Sequence, residues 1–265
     1  MPRQVRALAA TLGERVGHYH LVSSISAYAG FGGSTTDESA ALQTLEDPDT
    51  ETISAATYGG LKALCEAAAL EAFEGRCLVS RPGLIVGPHD PTGRFTWWVQ
   101  RLARGGQVLA PGAPEAPVQY IDARDAAAWH LLQAERGSTG VYNLTGPAVP
   151  TTMSEFLATA IQALGSVARC TWASEAFLLT QGVAPWTDLP LWLPGAQAGM
   201  HRADITRALA TGLKMRPLAE TVTDTAAWAT TAPPPVLGGP MRPQIGLSPE
   251  REAALLAAWR ATARR

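Results

Sequence analysis

Residues 57–88 read TYGGLKALCEAAALEAFEGRCLVSRPGLIVGP, a helical pattern that stops at Gly75 and runs at once into an apolar strand. That strand, RCLVSRPGLIVGP (76–88), runs out into a Pro/Gly turn. Upstream, HYHLVSSIS (18–26) reads as a second short buried strand. Before it, residues 2–16 place Val5, Leu8, Leu12 and Val16 at helical spacing, with Pro2 in the first turn. Helix alternates with strand, and the strands are apolar runs rather than polar–apolar alternations. This predicts a parallel sheet covered on both faces.

The alternation continues with a helix at 95–106, a strand at 117–122, a helix at 123–135 and a strand at 140–146. An amphipathic helix, MSEFLATAIQAL, follows. Past Gly165 comes the Pro-broken apolar stretch VAPWTDLPLWLPG (183–195). Helices are expected at 202–211, 218–230 and 248–263, the last with Ser248 as N-cap and Pro249 at its first position. The stretch APPPVLGGPMRP reads as a linker before that final helix. The loop AGFGGSTTDESAALQTLEDPDTET (29–52) is glycine-rich and acidic, and is expected to stay out of the core.

The chain has 265 residues, 46% hydrophobic and 17% charged, enough to bury a large core. A net charge of −2 leaves no basic stripe for phosphates, which disfavours a nucleic-acid partner. No apolar run reaches the ~20 residues a membrane helix needs, and the N-terminus does not read as a secretory signal. The odd set Cys65, Cys77 and Cys170, with no CxxC, argues against a disulfide framework and a zinc site, so no metal is expected. A cytoplasmic protein without a membrane partner is the expectation.

Lysine is scarce: Lys62 and Lys214 are the only two. Tyr58 and Lys62 stand four apart in the helical stretch, hence on one face. A free tyrosine, with a pKa of about 10, is a poor base at neutral pH. An adjacent ammonium favours the phenolate, which turns a tyrosine at this spacing into a usable general acid/base. The strand HLVSS ends at Ser23-Ser24 and the strand CLVS at Arg81-Pro82-Gly83, both where ligands sit in open parallel sheets. A serine there could hydrogen-bond a substrate oxygen while Tyr58 moves its proton.

In order, SSISAY, YGGLK, RPGLIVGP, VQYIDARDAA and GVYNLTG resemble the extended short-chain dehydrogenases/reductases, and more narrowly the NAD-dependent epimerase/dehydratase group. The late MHRADITRALATGLKMRPLAETVTDTAAW is similar to that family's closing segment, in a subgroup labelled isoflavone-reductase-like. The resemblance runs from residue 2 to about residue 230. It implies catalytic roles for Ser24, Tyr58 and Lys62. For the cofactor it implies Ser23, Tyr58 and Lys62 again, with Pro82, Gly83, Leu84 and Ile85 over the nicotinamide carboxamide. The implied cofactor is NAD or NADP, and the implied reaction moves a hydride between nicotinamide C4 and a substrate carbon. A homodimer through the Tyr58 helix and the one before it is a further expectation from the family.

The expected fold class is therefore α/β: a Rossmann-like parallel sheet with helices on both faces, plus a smaller mixed α/β C-terminal substrate lobe. Residues 1–88, with 117–146 returning, would form the dinucleotide-binding part. Residues 89–116 and 147–235 would form the lobe, and 236–265 a linker and helix. The family's opening strand, glycine-rich turn and helix have no counterpart in the sequence, so the Rossmann part is expected to be N-terminally incomplete, a truncated chain. The cluster Gly30-Phe31-Gly32-Gly33 opens an acidic loop and reads as a turn rather than a phosphate cradle.

Nucleotide-sugar epimerases usually carry an arginine where this chain has Val118, which points to a small substrate other than a nucleotide sugar. Trp97, Trp98, Trp186 and Trp192 suggest an apolar or aromatic pocket, with core packing the plain alternative. His89, Arg94 and Trp186 are the candidate substrate contacts. Three readings stand: a nicotinamide-dependent oxidoreductase, epimerase or dehydratase; a non-catalytic binding or regulatory protein on the same scaffold; and an inactive fragment of the first.

Overall fold

A computed structural model of the chain describes residues 1–32, 35–232 and 244–262. In chain order the elements are α1 (Pro2–Leu12), β1 (Tyr19–Val22), α2 (Tyr58–Ala72), β2 (Cys77–Pro82), β3 (Leu84–Val86), α3 (Arg94–Ala103), β4 (Gln107–Pro111) and β5 (Pro117–Asp122). There follow α4 (Ala123–Arg136), β6 (Gly140–Leu144), β7 (Gly146–Thr152), α5 (Met153–Ala163), β8 (Arg169–Ala173), α6 (Glu175–Thr180), α7 (Thr206–Ala210), α8 (Leu218–Ala229) and α9 (Pro249–Thr262). Two compact units result. One comprises Met1–Ile85, Gln119–Val149 and Gly199–Met215; the other comprises Val86–Val118, Pro150–Ala198 and Arg216–Arg265. Residues 199–215, grouped with the second lobe in the sequence reading, thus cluster with the first unit.

The first unit is built on a parallel sheet in the order β1-β2-β6, with Val22 opposite Ser80 and Pro82 opposite Leu144. On one face Tyr19, Leu21, Cys77, Val79 and Val141 meet Val5 of α1 and Cys65, Ala68 and Ala69 of α2. On the other, Leu78, Tyr142 and Leu144 meet Ala126 and Trp129 of α4 and Ala208 of α7. The fold is α/β, with β2 and β6 covered on both faces, whereas β1, expected to be buried, lies at the edge of the sheet half-buried and with Val22 exposed. β2 is buried at every position, as its unalternating sequence requires. The strands β3, β5 and β7 form a further sheet in that order.

The second unit holds β4 and β8 as a parallel pair, from Gln107 opposite Arg169 to Pro111 opposite Ala173. Phe95 of α3 meets Phe156 of α5 edge-on at 5.9 Å. The buried indole of Trp98 donates to the carbonyl of Pro190 at 2.7 Å. Trp98 is thus core, which is the packing alternative for that residue. α5 opens on a capping box between Thr152 and Glu155, and Ser248 Oγ accepts from Arg251 N–H at the head of α9.

Some expectations need correction. The strand after α1 is shorter than 18–26, because Ser24 leaves it to cap a 3-10 turn at Ile25–Ala27. The strand expected over 76–88 breaks at Gly83 into β2 and β3. The strands β4, β7 and β8 and the helix α6 come from stretches too short, or too broken by proline and glycine, to show a period. The acidic loop is not all solvent-facing: Thr36 is buried, and Glu38 bonds to β2 and β6. Gly33 and most of the proline-rich stretch at 232–243 lie outside the described residues.

Candidate active site

The three parallel strands of the first unit end together, and their ends carry Ser23-Ser24, Gly83 and Thr145. α2 begins beside them. Its start is set by a hydroxyl turn: Thr57 Oγ1 accepts from Ser54 N–H and donates to Thr52 O, while Tyr58 N–H donates to Ser54 O. The two glycines after Tyr58 weaken the helix, each by up to about 1 kcal/mol relative to alanine. Their use is steric. A Cβ on Gly59 would stand 2.1 Å from the carbonyl oxygen of Ser26, and one on Gly60 would stand 2.5 Å from Leu45. Gly59 lets the turn that follows Ser24 press against the first turn of α2, and Gly60 admits the Leu45 side chain of the acidic loop.

Lys62 reaches back to the strand end. Its Nζ donates to the carbonyl of Val22 at 3.0 Å and lies 5.9 Å from the centroid of the Tyr58 ring. Burial lowers its pKa from the ordinary lysine value, against the opposing pull of Cys65 and Glu66. Tyr58 is half-buried, and its phenol hydroxyl has no hydrogen-bond partner among the described residues. Ser24 is buried; its Oγ accepts from Ser26 N–H at 3.1 Å, which leaves the hydroxyl proton to donate elsewhere. Ser24, Tyr58 and Lys62 are thus carried by two segments in close contact at one end of one sheet.

Ser23 has another task. Its Oγ donates to Glu66 Oε1 at 2.5 Å, so its one proton is committed to the interior rather than to a cofactor. Glu66 also receives Arg81 Nε at 3.1 Å and Nη2 at 2.7 Å, in a pair only 1% and 4% exposed. Arg81 Nη1 donates to the hydroxyl of Tyr28 and to the carbonyl of Glu38, and Tyr28 donates to Asn143 Oδ1 at 2.6 Å. Asn143 returns bonds from its Nδ2 to Thr36 O and Asp204 O. Sequence reading missed this network. The signals were a lone carboxylate among alanines in LCEAAAL and a cation inside a buried strand, each of which demands a partner.

Of the residues expected over the nicotinamide, Pro82 and Leu84 are buried and Ile85 is 36% exposed. Gly83 donates its N–H to Leu144 O, and a Cβ there would meet Thr145 Oγ1 at 2.3 Å. The candidate substrate residues fall in the second unit. Arg94 stacks its guanidinium 5.4 Å from the Trp186 ring centroid and donates Nε to the Trp186 carbonyl at 3.2 Å. Burial lowers the Arg94 pKa, with Asp90 opposing. His89 is exposed, 5.4 Å from Trp228 between ring centroids, and both His89 and Trp186 have positive φ, 67° and 63°. Val118 is 1% exposed, a core position.

A third polar cluster lies in the first unit. His20 Nε2 and His18 Nδ1 are 2.8 Å apart, His20 and His130 meet through their Nδ1 atoms at 3.3 Å, and His130 Nε2 lies 3.0 Å from Ser80 Oγ. Burial, and then the neighbouring His18 and His130, push His20 down to about 4. Among the described residues no three His, Cys, Asp or Glu are placed to hold a metal ion, and no helix is long and apolar enough to cross a membrane.

The half-buried phenol of Tyr58 and the two N–H bonds left on Lys62 fit the ribose and nicotinamide end of a dinucleotide. The pyrophosphate end is not matched. Among the described residues Gly30–Gly32 leads into no helix. The helices that directly follow strands, α4, α5 and α6, have their first N–H groups taken by Asp122, Thr152 and Ser174, and Asp90 caps α3.

No family model and no curated protein sequence matches the chain. Solved structures do. UDP-glucuronic acid 4-epimerase from Bacillus cereus, in complex with NAD, is similar at a TM-score of 0.60 and 13% identity, over 86% of this chain and 66% of that one. UDP-glucose 4-epimerase from Thermotoga maritima, with UDP-glucose, gives 0.59 and 19%, over 87% and 68%. A dTDP-4-dehydrorhamnose reductase from Clostridium acetobutylicum gives 0.59 and 14%, over 85% and 71%. The chain thus spans about two thirds of the length of these proteins and has the Rossmann-type α/β fold of NAD-dependent epimerases and reductases.

Proposed function

We propose that this chain carries the proton-transfer part of an NAD- or NADP-dependent oxidoreductase, epimerase or dehydratase of the extended short-chain dehydrogenase type. The observation that supports it best is the clasp of Lys62 on Val22, which brings the Tyr58 turn of α2 to the strand end that continues into Ser24. In this reading Tyr58 takes or returns the proton of a substrate hydroxyl, and Ser24 donates its free proton to the same oxygen. Lys62 gives its two remaining N–H bonds to the cofactor ribose, with its Nζ 5.9 Å from the centroid of the Tyr58 ring. A nicotinamide bound here would accept or supply the hydride. With an apolar core position at Val118, the favoured substrate is a small alcohol or carbonyl compound rather than a nucleotide sugar.

The test is calorimetric titration of the 265-residue chain with NAD(H) and NADP(H), followed by a screen of alcohol–carbonyl pairs. Saturable binding through the nicotinamide end is expected, weaker than a site that also holds the pyrophosphate would give. Tyr58→Phe is then expected to keep that binding and lose about 10²-fold or more in turnover. No binding would favour the non-catalytic reading or the inactive fragment, and unchanged turnover in Tyr58→Phe would remove Tyr58 from the mechanism.

A further inference from the structure

We infer that Glu66 is a positioning residue for the Ser24–Tyr58–Lys62 set, acting through Ser23 and Lys62 and locked in place by Arg81. Its catalytic meaning rests on the function proposed above; its geometry does not.

Tyr58, Lys62 and Glu66 follow one another at intervals of four along α2, so they form one stripe down the helix. The strand end opposite is read by the same stripe. Lys62 binds the carbonyl of Val22, and one turn on, Glu66 binds the hydroxyl of Ser23. The next strand residue is Ser24. Two bonds one helical turn apart fix both the depth and the rotation of α2 against β1. A slip of one turn, about 5.4 Å, would break both together.

Glu66 can serve as this anchor because it has no freedom of its own. Its carboxylate is gripped by Arg81 through Nε and Nη2, and Arg81 is tied by Nη1 to Tyr28 and to the Glu38 carbonyl. The anchor is also electrostatic. Facing Lys62 are Tyr58, Cys65 and Glu66 from its own helix, the uncharged Val22 and Ser23 from β1, and Arg81 of β2 through its pair with Glu66. Burial works against the ammonium, and Glu66 is one of two groups that work for it. Neutralising Glu66 withdraws that support and leaves the Arg81 cation unopposed.

The scarcity of lysine makes a direct test available without cofactor or substrate. Trace acylation of the full chain over a range of pH, read by peptide mass spectrometry, follows Lys62 with Lys214 as the internal reference. In Glu66→Gln the acylation profile of Lys62 is expected to move to lower pH. At pH 8 its rate relative to Lys214 should rise about threefold or more. Glu252→Gln, which neutralises the other buried glutamate paired with arginine, is expected to leave the Lys62 profile where it is. Ser23→Ala cuts the tether without stranding a charge. It is expected to raise the Lys62 rate at every pH with no displacement of the profile.

An unmoved profile in a folded Glu66→Gln, or an equal displacement in Glu252→Gln, overturns the inference. If Glu66→Gln does not fold, Ser23→Ala decides: an unchanged Lys62 rate overturns the inference, and a uniform rise upholds the tether. Failure of nicotinamide binding in the wild-type chain would count against the enzyme reading alone, since none of these readouts uses a cofactor.

Discussion

In the first unit Arg81 and Glu66 join a strand to a helix 15 residues away; in the second, Arg101 and Glu252 join helices 151 residues apart. Both pairs are more than nine-tenths buried. Their surroundings differ. Arg101 gives its other N–H bonds to the carbonyls of Gly105 and Gln107, and Glu252 Oε1 accepts from Leu109 N–H. Every further partner is backbone, so this pair staples α9 and α3 to β4. Around Arg81 and Glu66 the further partners include the hydroxyls of Ser23 and Tyr28, and Glu66 lies one turn from Lys62. The same two side chains serve as a staple in one place and as an aiming device in the other. What a buried ion pair does is decided by the groups that complete its hydrogen bonds.

The largest expected effect tests the staple. Glu252→Ala strands a buried guanidinium and should cost the second unit about 3–5 kcal/mol in urea unfolding followed by tryptophan fluorescence. Replacing both partners, Arg101→Met with Glu252→Leu, should recover most of that loss, because no charge is left without a partner. A cost under about 1 kcal/mol for Glu252→Ala would show the pair to behave like a surface bridge and would break the comparison.

A smaller effect sharpens the other side. Gly59→Ala raises helix propensity by about 1 kcal/mol. It also drives a methyl group to 2.1 Å from the Ser26 carbonyl, a backbone atom that can yield only by moving the turn after Ser24. A net loss of about 1–3 kcal/mol is expected in equilibrium denaturation. A gain in stability would mean that the turn and α2 are not pressed together.

The smallest effect separates charged clusters from neutral ones by pH. Folded His20 stays neutral down to about 4, while the unfolded chain takes up that proton near the ordinary histidine value of about 6.5. Between these values the unfolded chain binds more protons, so stability falls as pH falls through this window and recovers as pH rises. His20→Asn should flatten the dependence of the urea midpoint on pH between about 4 and 6.5. An identical slope in the variant would assign that acid sensitivity to other groups.

Much of the first unit was legible in the sequence. α2 and β2 stood out because their signals are local: a run of small apolar residues closed by Gly75, then CLVSRP with no alternation. Ser248 at the head of α9 was readable for the same reason, since a cap is a contact between residues a few positions apart. β4 and β8 were not, because neither carries a period strong enough to announce a strand. They are strands by virtue of each other, 62 residues apart in register.

The sequence by itself determined the stripe. Tyr58 and Lys62 share a face wherever that segment is helical, because 3.6 residues per turn brings every fourth side chain around to the same side. Only the tertiary structure decided what the stripe faces: Val22 and Ser23 opposite Lys62 and Glu66, Arg81 locked by Tyr28 and Glu38, and Thr36 and Glu38 of an acidic loop drawn in to Asn143 and Arg81. Those partners are separated along the chain by up to 107 residues. Helical periodicity repeats locally and can be counted from the letters. A buried charge announces only that it needs a partner, and which partner it finds depends on how the sheet and helices close around it.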